Sequence, residues 1–164
     1  MKHMPVSGVM RRKVVTASSD MSLHDAATLM HEHGINGLPV VDEGGRVVGV
    51  VGIKDILRVP YRSGDEIYIW TGAPLTRIAG YLRDMRVADI MARRPLCVQQ
   101  TDVLSTVVGM MINQGIHPIP IVDKDARLVG VIGRADVLGV VLSTPVAEES
   151  GATRTAAPEE QTAR

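Results

Sequence analysis

The chain has 164 residues, of which 45% are apolar, a length and composition that suit one ordinary domain or a compact pair of small repeats. It has no Phe, one Trp and three Tyr, so Val, Ile, Leu, Ala and Met must build the core. Eighteen basic residues balance eighteen acidic ones, so no global field draws the chain to nucleic acid or an anionic membrane.

The single cysteine, Cys97, excludes an intrachain disulfide and fits a reducing compartment. The first residues lack the apolar stretch of a secretion signal, and no apolar run reaches the roughly 20 residues that span a bilayer. A cytoplasmic protein is expected, with no nucleic-acid or membrane partner.

An internal repeat organises everything else. A shift of 81 positions lays residues 6–58 on 87–139 without a gap, and 17 of the 53 pairs are identical. The Gly, Pro and Asp punctuation aligns: Gly34 with Gly115, Pro39 with Pro120, Asp42 with Asp123, Gly49 with Gly130, Gly52 with Gly133, Asp55 with Asp136. Met10 and Met91 also align, as do Met30 and Met111.

In chain order, each copy opens with a short helical turn that ends at Met10 or Met91. A brief strand is expected near Val14–Thr16 or Leu96–Val98. An amphipathic helix follows, with Leu23, Ala26, Ala27 and Met30 on one face, or Leu104, Val107, Val108 and Met111, all at i, i+3, i+4, i+7 spacing. Ser22 with Asp25 forms a capping-box pattern, and Asp102 is the predicted N-cap of the second copy. Gly34 and Gly115 supply the left-handed residue that ends each helix.

Strands are predicted at Leu38–Val41 and Val47–Val51, and again at Ile119–Val122 and Leu128–Ile132. The turns between them fall at residues 42–45 and 123–126. A last helix starts near Gly52 or Gly133, with Asp55 or Asp136 in its first turn. The expected fold class is therefore α/β (α+β), two β-α-β-β-α units, each too small to bury its own sheet and so packed on the other.

The expected boundaries are repeat one at 1–58, an insert at 59–86, repeat two at 87–142 and a disordered tail at 143–164. The insert opens on turn-formers that include Pro60, then carries a strand-like run, Ile67–Trp70. Pro74 marks the start of a helix with Leu75, Ile78, Ala79 and Leu82 on one face, apolar enough to dock. Tyr68 and Trp70 are read as covering an apolar flank of the sheets, with partner docking as the sharper alternative.

No catalytic triad, phosphate-binding loop or dinucleotide fingerprint is present, so an enzyme is not expected. His24 and His31 share a helix face, but no Cys or close carboxylate completes a tetrahedral set, so metal is not expected either. Arg11-Arg12-Lys13 reads as a solvated loop, with phosphate contact as the alternative.

The blocks Val9-Met10 and Ile90-Met91, Gly34 to Asp42 and Gly115 to Asp123, and Gly49 to Asp55 and Gly130 to Asp136 resemble the cystathionine-β-synthase (CBS) domain family. The resemblance covers about two thirds of the chain and implies a pseudo-two-fold pair with two clefts between the repeats. It also implies a homodimer, no obligatory cofactor, and a small-molecule ligand such as AMP, ADP, ATP or S-adenosylmethionine.

The family's nucleotide sites use a Gly-x-x-Thr/Ser-x-x-Asp pattern whose aspartate binds both ribose hydroxyls. Asp55 and Asp136 hold that place, but Gly52 and Gly133 stand where the hydroxyl residue should be. Lys54 and Arg134 lie beside the aspartates, as phosphate partners or as solvated charges at the helix start. By position, Thr16, Gly37, Leu38 and Pro39 would line one adenine slot, and Cys97, Val98, Pro118, Ile119 and Pro120 the other. The implied function is a non-catalytic regulatory module that signals to an unidentified protein partner. The alternative is a structural or dimerisation module with degenerate clefts.

Deleting the chain after Ser143 is expected to leave the melting temperature nearly unchanged. A large drop in a thermal melt would show instead that this tail is docked.

Overall fold

The computed structural model describes residues 3–62, 75–115 and 118–145. The predicted strand-like run at 67–70, Pro74 and the tail from residue 146 lie outside the described residues. A short 3-10 turn at Val6–Gly8 precedes α1 (Leu23–Glu32), β1 (Gly37–Val41), β2 (Val47–Gly52) and α2 (Ile53–Arg62). Then come α3 (Leu75–Asp84), α4 (Val87–Ile90), β3 (Ala92–Arg93), β4 (Val98–Gln99), α5 (Leu104–Asn113), β5 (Ile119–Val122), β6 (Leu128–Ile132) and α6 (Arg134–Ser143).

Local signals account for most of these elements. The Ser22 hydroxyl accepts the Asp25 N–H at 3.0 Å and starts α1, whose buried face is Leu23, Ala26 and Met30. Gly34 and Gly115, at φ +61 and +65, end α1 and α5 in the left-handed region. Asp102 does not cap α5: Val103 holds the N-cap position, and the Asp102 carboxylate accepts the Gln99 N–H at 2.7 Å, which closes the preceding turn. An Asp side chain can serve a turn or a helix end, and here the turn takes it.

The hairpin turns are alike in both copies. The Asp42 carboxylate accepts the Arg46 N–H at 2.8 Å, and the Asp123 carboxylate accepts that of Arg127 at 2.9 Å. The bond from Arg127 holds the Asp123 carboxyl below its ordinary range.

Two antiparallel pairs, β1 with β2 and β5 with β6, form the centres of two sheets ordered β1-β2-β3 and β4-β5-β6. The strand expected near Val14–Thr16 is reduced to a single parallel bridge, Ala17 to Val40; its counterpart in repeat two is β4, parallel to β5. The outer strand of each sheet is exchanged. In repeat one β2 pairs with β3, which arrives with repeat two, through Val50↔Ala92. In repeat two, Val131 of β6 pairs with Arg11, from the start of repeat one. These two bridges are the same contact, displaced by 81 residues at each end.

The exchange extends along both opening segments. Pro5 bridges Val103 and Arg86 bridges Ser22, again related by the shift. Val6 donates to the Asp102 carbonyl at 2.8 Å, and Val87 to that of Met21 at 2.9 Å. Val6 and Met10 are buried in the core of repeat two, with Leu104, Val107, Ile119 and Ile132. Val87 and Ile90 are buried in the core of repeat one, with Leu23, Met30, Leu38 and Val51. Full burial of one such Val stabilises by about 1.5–3 kcal/mol, so each opening segment is a structural part of the other repeat. At the pseudo-axis, the hairpin tips meet through Arg46↔Arg127.

The helix after β2 runs to Arg62, so Pro60 lies inside it rather than in a turn. Beyond the first turn of a helix a proline removes one ladder bond and its ring crowds the carbonyl four residues earlier, which is why the sequence favours a turn here. As expected from its apolar face, α3 docks: Ile78 is buried, and Leu82 packs against the first core.

The repeated glycines of β2 and β6 are explained by the exchanged methionines. A Cβ at Gly49 would lie 2.5 Å from the Met91 sulfur and 3.2 Å from the Ala92 carbonyl oxygen; at Gly130 it would lie 2.7 Å from the Met10 sulfur and 3.1 Å from the Arg11 carbonyl oxygen. Gly49→Ala should therefore destabilise by about 1–3 kcal/mol through overpacking. Adding Met91→Ala should recover part of that loss in a double-mutant cycle read by denaturant unfolding. Additive losses would mean that the methionine does not set the glycine requirement.

Candidate functional site

The exchange leaves a cleft at the seam of the two repeats, of about 380 Å3, within the range of small-ligand sites. One wall comes from repeat one: Lys13, Val14 and Val15 of the extended run before Ala17, then Gly34 to Gly37, and Pro39 of β1. The other comes from repeat two: Pro118, Val131 of β6, and Gly133 to Asp136 at the start of α6. Arg11 bridges the two walls, since it belongs by sequence to one repeat and pairs with the sheet of the other.

Alternation along the strands decides which residues reach the cleft. In β1, Gly37 and Pro39 line it, whereas Leu38 and Val40 belong to the first core. Gly37 and Pro118 occupy equivalent positions and touch across the pseudo-axis; a Cβ on Gly37 would stand 2.8 Å from the Pro118 Cδ. The two therefore share one cleft rather than dividing between two slots as the sequence reading had them.

The α6 end of the cleft carries its electrostatics. The Asp136 carboxylate accepts the Gly133 N–H at 2.7 Å and so caps the helix from within its first turn. The Arg11 Nε lies 3.1 Å from both Asp136 oxygens. The Arg11 side chain is 49% exposed and that of Asp136 16%. Lys13 and Arg134 add two further cations, so the cleft holds three positive groups and one negative. The α6 N-terminus presents backbone N–H groups to the same space, a disposition that favours an anion. Gly133 leaves room beside this end: a Cβ there would meet the nearest atoms, on Arg11 and Asp136, at 3.4 Å.

Of the residues expected to bind ligand, Gly37, Pro39, Pro118, Gly133, Arg134 and Asp136 lie together in this cleft. Leu38, Val98 and Ile119 are buried in the cores, and Pro120 is buried in β5 between two core residues. Thr16 is half-buried one position past the cleft wall. Cys97 is half-buried, with its sulfur 3.5 Å from the Pro95 carbonyl oxygen, and burial pushes its thiol pKa up, away from a nucleophilic thiolate.

Gly52, Lys54 and Asp55 sit at the start of α2, the equivalent position in repeat one, where the Asp55 carboxylate accepts the Gly52 N–H at 2.9 Å. The two ends differ in charge. Ala92 replaces Arg11 and Ile53 replaces Arg134, while Arg94 stands opposite Lys13 and Lys54 opposite Ala135, so the equivalent positions carry two cations rather than three. Among the described residues no cation pairs with Asp55, and residues 116 and 117 of that side lie outside them.

Sequence reasoning placed Arg11 and Lys13 in a solvated loop and left out Asn36, Val131 and Ala135. The usable signal was the alternation of residues 11 and 13, which share one side of an extended segment, against the apolar Ala92 at the equivalent place. Among the described residues, no group of three or more His, Cys, Asp or Glu is placed to hold a metal ion, and no helix is long and apolar enough to cross a membrane.

Known proteins share this architecture. The structure of CBSX2 in complex with AMP superimposes with a TM-score of 0.68 at 26% identity, over 85% of this chain and 96% of that one. CBSX2 comes from Arabidopsis thaliana. Protein MJ1225 of Methanocaldococcus jannaschii superimposes at 0.74 and 26% identity, over 85% of this chain and 48% of that one. MJ1426 of the same archaeon is 21% identical over 155 residues, 85% of this chain and 92% of that protein. The chain spans less than two thirds of other curated relatives, including 64% of MK0525 of Methanopyrus kandleri and 60% of full-length CBSX2. The family model for the CBS domain matches residues 6–62 and again 87–143, so the chain belongs to the CBS domain family and carries two tandem copies.

Proposed function

We propose that this chain is a non-catalytic regulatory module that binds a phosphorylated adenosyl ligand in the Asp136 cleft and passes the binding event to a protein partner. The observation that carries the reading is the grouping of Asp136, Arg11, Lys13, Arg134 and the α6 N-terminus in one cleft between the repeats. The carboxylate suits a pair of ribose hydroxyls, and the cations with the helix N-terminus suit phosphate. The AMP complex of CBSX2, similar over most of both chains, supports an adenine nucleotide. The three cations offset what Gly133 lacks, which favours AMP, ADP or ATP over S-adenosylmethionine.

The Asp55 end carries less positive charge, which supports a weaker or different ligand there. Its residues in this reading are Gly52, Lys54 and Asp55.

The exposed apolar residues Leu138, Val141 and Leu142 of α6, with Ile112 of α5, support a homodimer formed through the helices. Ligand binding regulates a partner only if it favours one arrangement of the repeats, or of the two protomers, over another. A single cysteine, partly buried, accords with a reducing cytoplasm. The second reading, a structural module with degenerate clefts, draws support from glycine at both hydroxyl positions, Gly52 and Gly133.

Calorimetry and thermal melting with AMP and ATP separate the two readings. A hundredfold excess of true ligand over Kd should add about 2.7 kcal/mol of stability. Asp136→Ala should abolish that gain while the protein stays folded, and retention of full affinity by the variant would remove Asp136 from the site. Gly133→Thr should tighten nucleotide binding severalfold, because the added hydroxyl is one more donor toward phosphate and the site has room for the side chain's Cβ. No gain in calorimetry would show that the missing hydroxyl does not limit affinity.

A further inference from the structure

We infer that Arg11 is a specificity-determining latch: its ion pair with Asp136 must open for a ribose to bind, and only a ligand that carries its own anion compensates the arginine. This inference rests on the nucleotide reading of the Asp136 cleft given above and adds a selection rule to it.

The geometry separates what is fixed from what can move. The Arg11 backbone is pinned to β6 by two hydrogen bonds, its N–H to the Val131 carbonyl and the Val131 N–H to its own carbonyl, both 2.9 Å. The guanidinium is half exposed and lies 3.1 Å from each Asp136 oxygen. The backbone therefore stays in place while the side chain is free to change partner. Of the roughly four lone-pair sites of the Asp136 carboxylate, the Gly133 N–H takes one, and the Arg11 Nε, equidistant from the two oxygens, faces one on each, so fewer than two stay open while the pair is closed.

Two ribose hydroxyls need that same capacity. An unphosphorylated nucleoside that takes it leaves Arg11 without a counter-charge beside two other cations, Lys13 and Arg134. A nucleotide supplies the hydroxyls to Asp136 and an anionic oxygen to Arg11 in one step, so the bond lost is replaced by a charge-assisted one. The cleft thus discriminates on phosphate through a partner exchange at Arg11, not only through overall positive charge. The residue equivalent to Arg11 at the Asp55 end is Ala92, and among the described residues no cation pairs with Asp55.

Calorimetry of the full chain with AMP and with adenosine tests this, using the wild type and Arg11→Gln, which keeps most of the side-chain stem. In the wild type AMP should bind at least about tenfold tighter than adenosine. In Arg11→Gln, AMP should weaken and adenosine should tighten, so that the ratio collapses. Adenosine binding that is unchanged or weaker in the variant overturns the latch and leaves Arg11 as an ordinary phosphate contact at most.

A second measurement needs no variant. Salt screens the half-exposed pair, so raising salt should tighten adenosine, which is uncharged, while weakening AMP. Adenosine affinity that falls or stays level with salt overturns the latch by a second route. If the wild type binds neither compound, the nucleotide reading fails and the latch fails with it. If it binds both and Arg11→Gln leaves their ratio intact, only the latch fails.

Discussion

The whole molecule depends on the exchange of opening segments between the repeats. Val6 and Met10 complete the core of repeat two, and Val87 and Ile90 complete that of repeat one. Each exchanged segment also supplies the edge bridge of the sheet it joins, Arg11 on Val131 and Ala92 on Val50. A unit of about fifty residues cannot bury both faces of a three-stranded sheet by itself. Here each unit borrows the missing apolar side chains and the missing edge partner from the other. The glycines at 49 and 130 exist because a borrowed methionine lies directly over each.

The same exchange makes the cleft. Because Arg11 is fixed to β6, its side chain reaches the first turn of α6 and meets Asp136. Lys13 to Val15, two to four residues further, then cross back to form the facing wall. Fold stability and the charge of the cleft therefore share one short segment. Its backbone holds the sheets together, and its side chains set the charge of the space between them. The internal symmetry does not extend fully to that charge: one end has Arg11 and Arg134 where the other has Ala92 and Ile53, a difference that Lys54, opposite Ala135, only partly offsets.

Much of the fold was legible in the chain. The α1 and α5 faces, the Ser22 cap, the left-handed Gly34 and Gly115, both hairpins and the family follow from spacing and punctuation. The misreadings have physical causes. Asp102 was assigned to a helix end although a turn competed for the same carboxylate. Pro60 was expected among turn-formers, yet it lies within α2, which runs on to Arg62. Of the cleft lining, Asp136, Gly133 and Arg134 were named from the sequence, while Arg11 and Lys13 were read first as a solvated loop, with phosphate contact only as the alternative, because a run of three basic residues is most often solvated. Leu38 and Ile119 were placed at the cleft from proximity in sequence, yet strand alternation turns them to the cores.

The sequence by itself determined the duplication, the order of elements within each copy and the presence of an aspartate at the start of each closing helix. These follow from interactions that span a few residues: helical and strand periodicity, caps and turns. Only the tertiary structure decided that the opening segments trade places, that Gly37 and Pro118 meet, and that Arg11 pairs with Asp136. Those contacts join residues as far as 125 positions apart. They are set by which edges and core faces remain open once each unit has formed, a property of the assembled pair and not of any local stretch of chain.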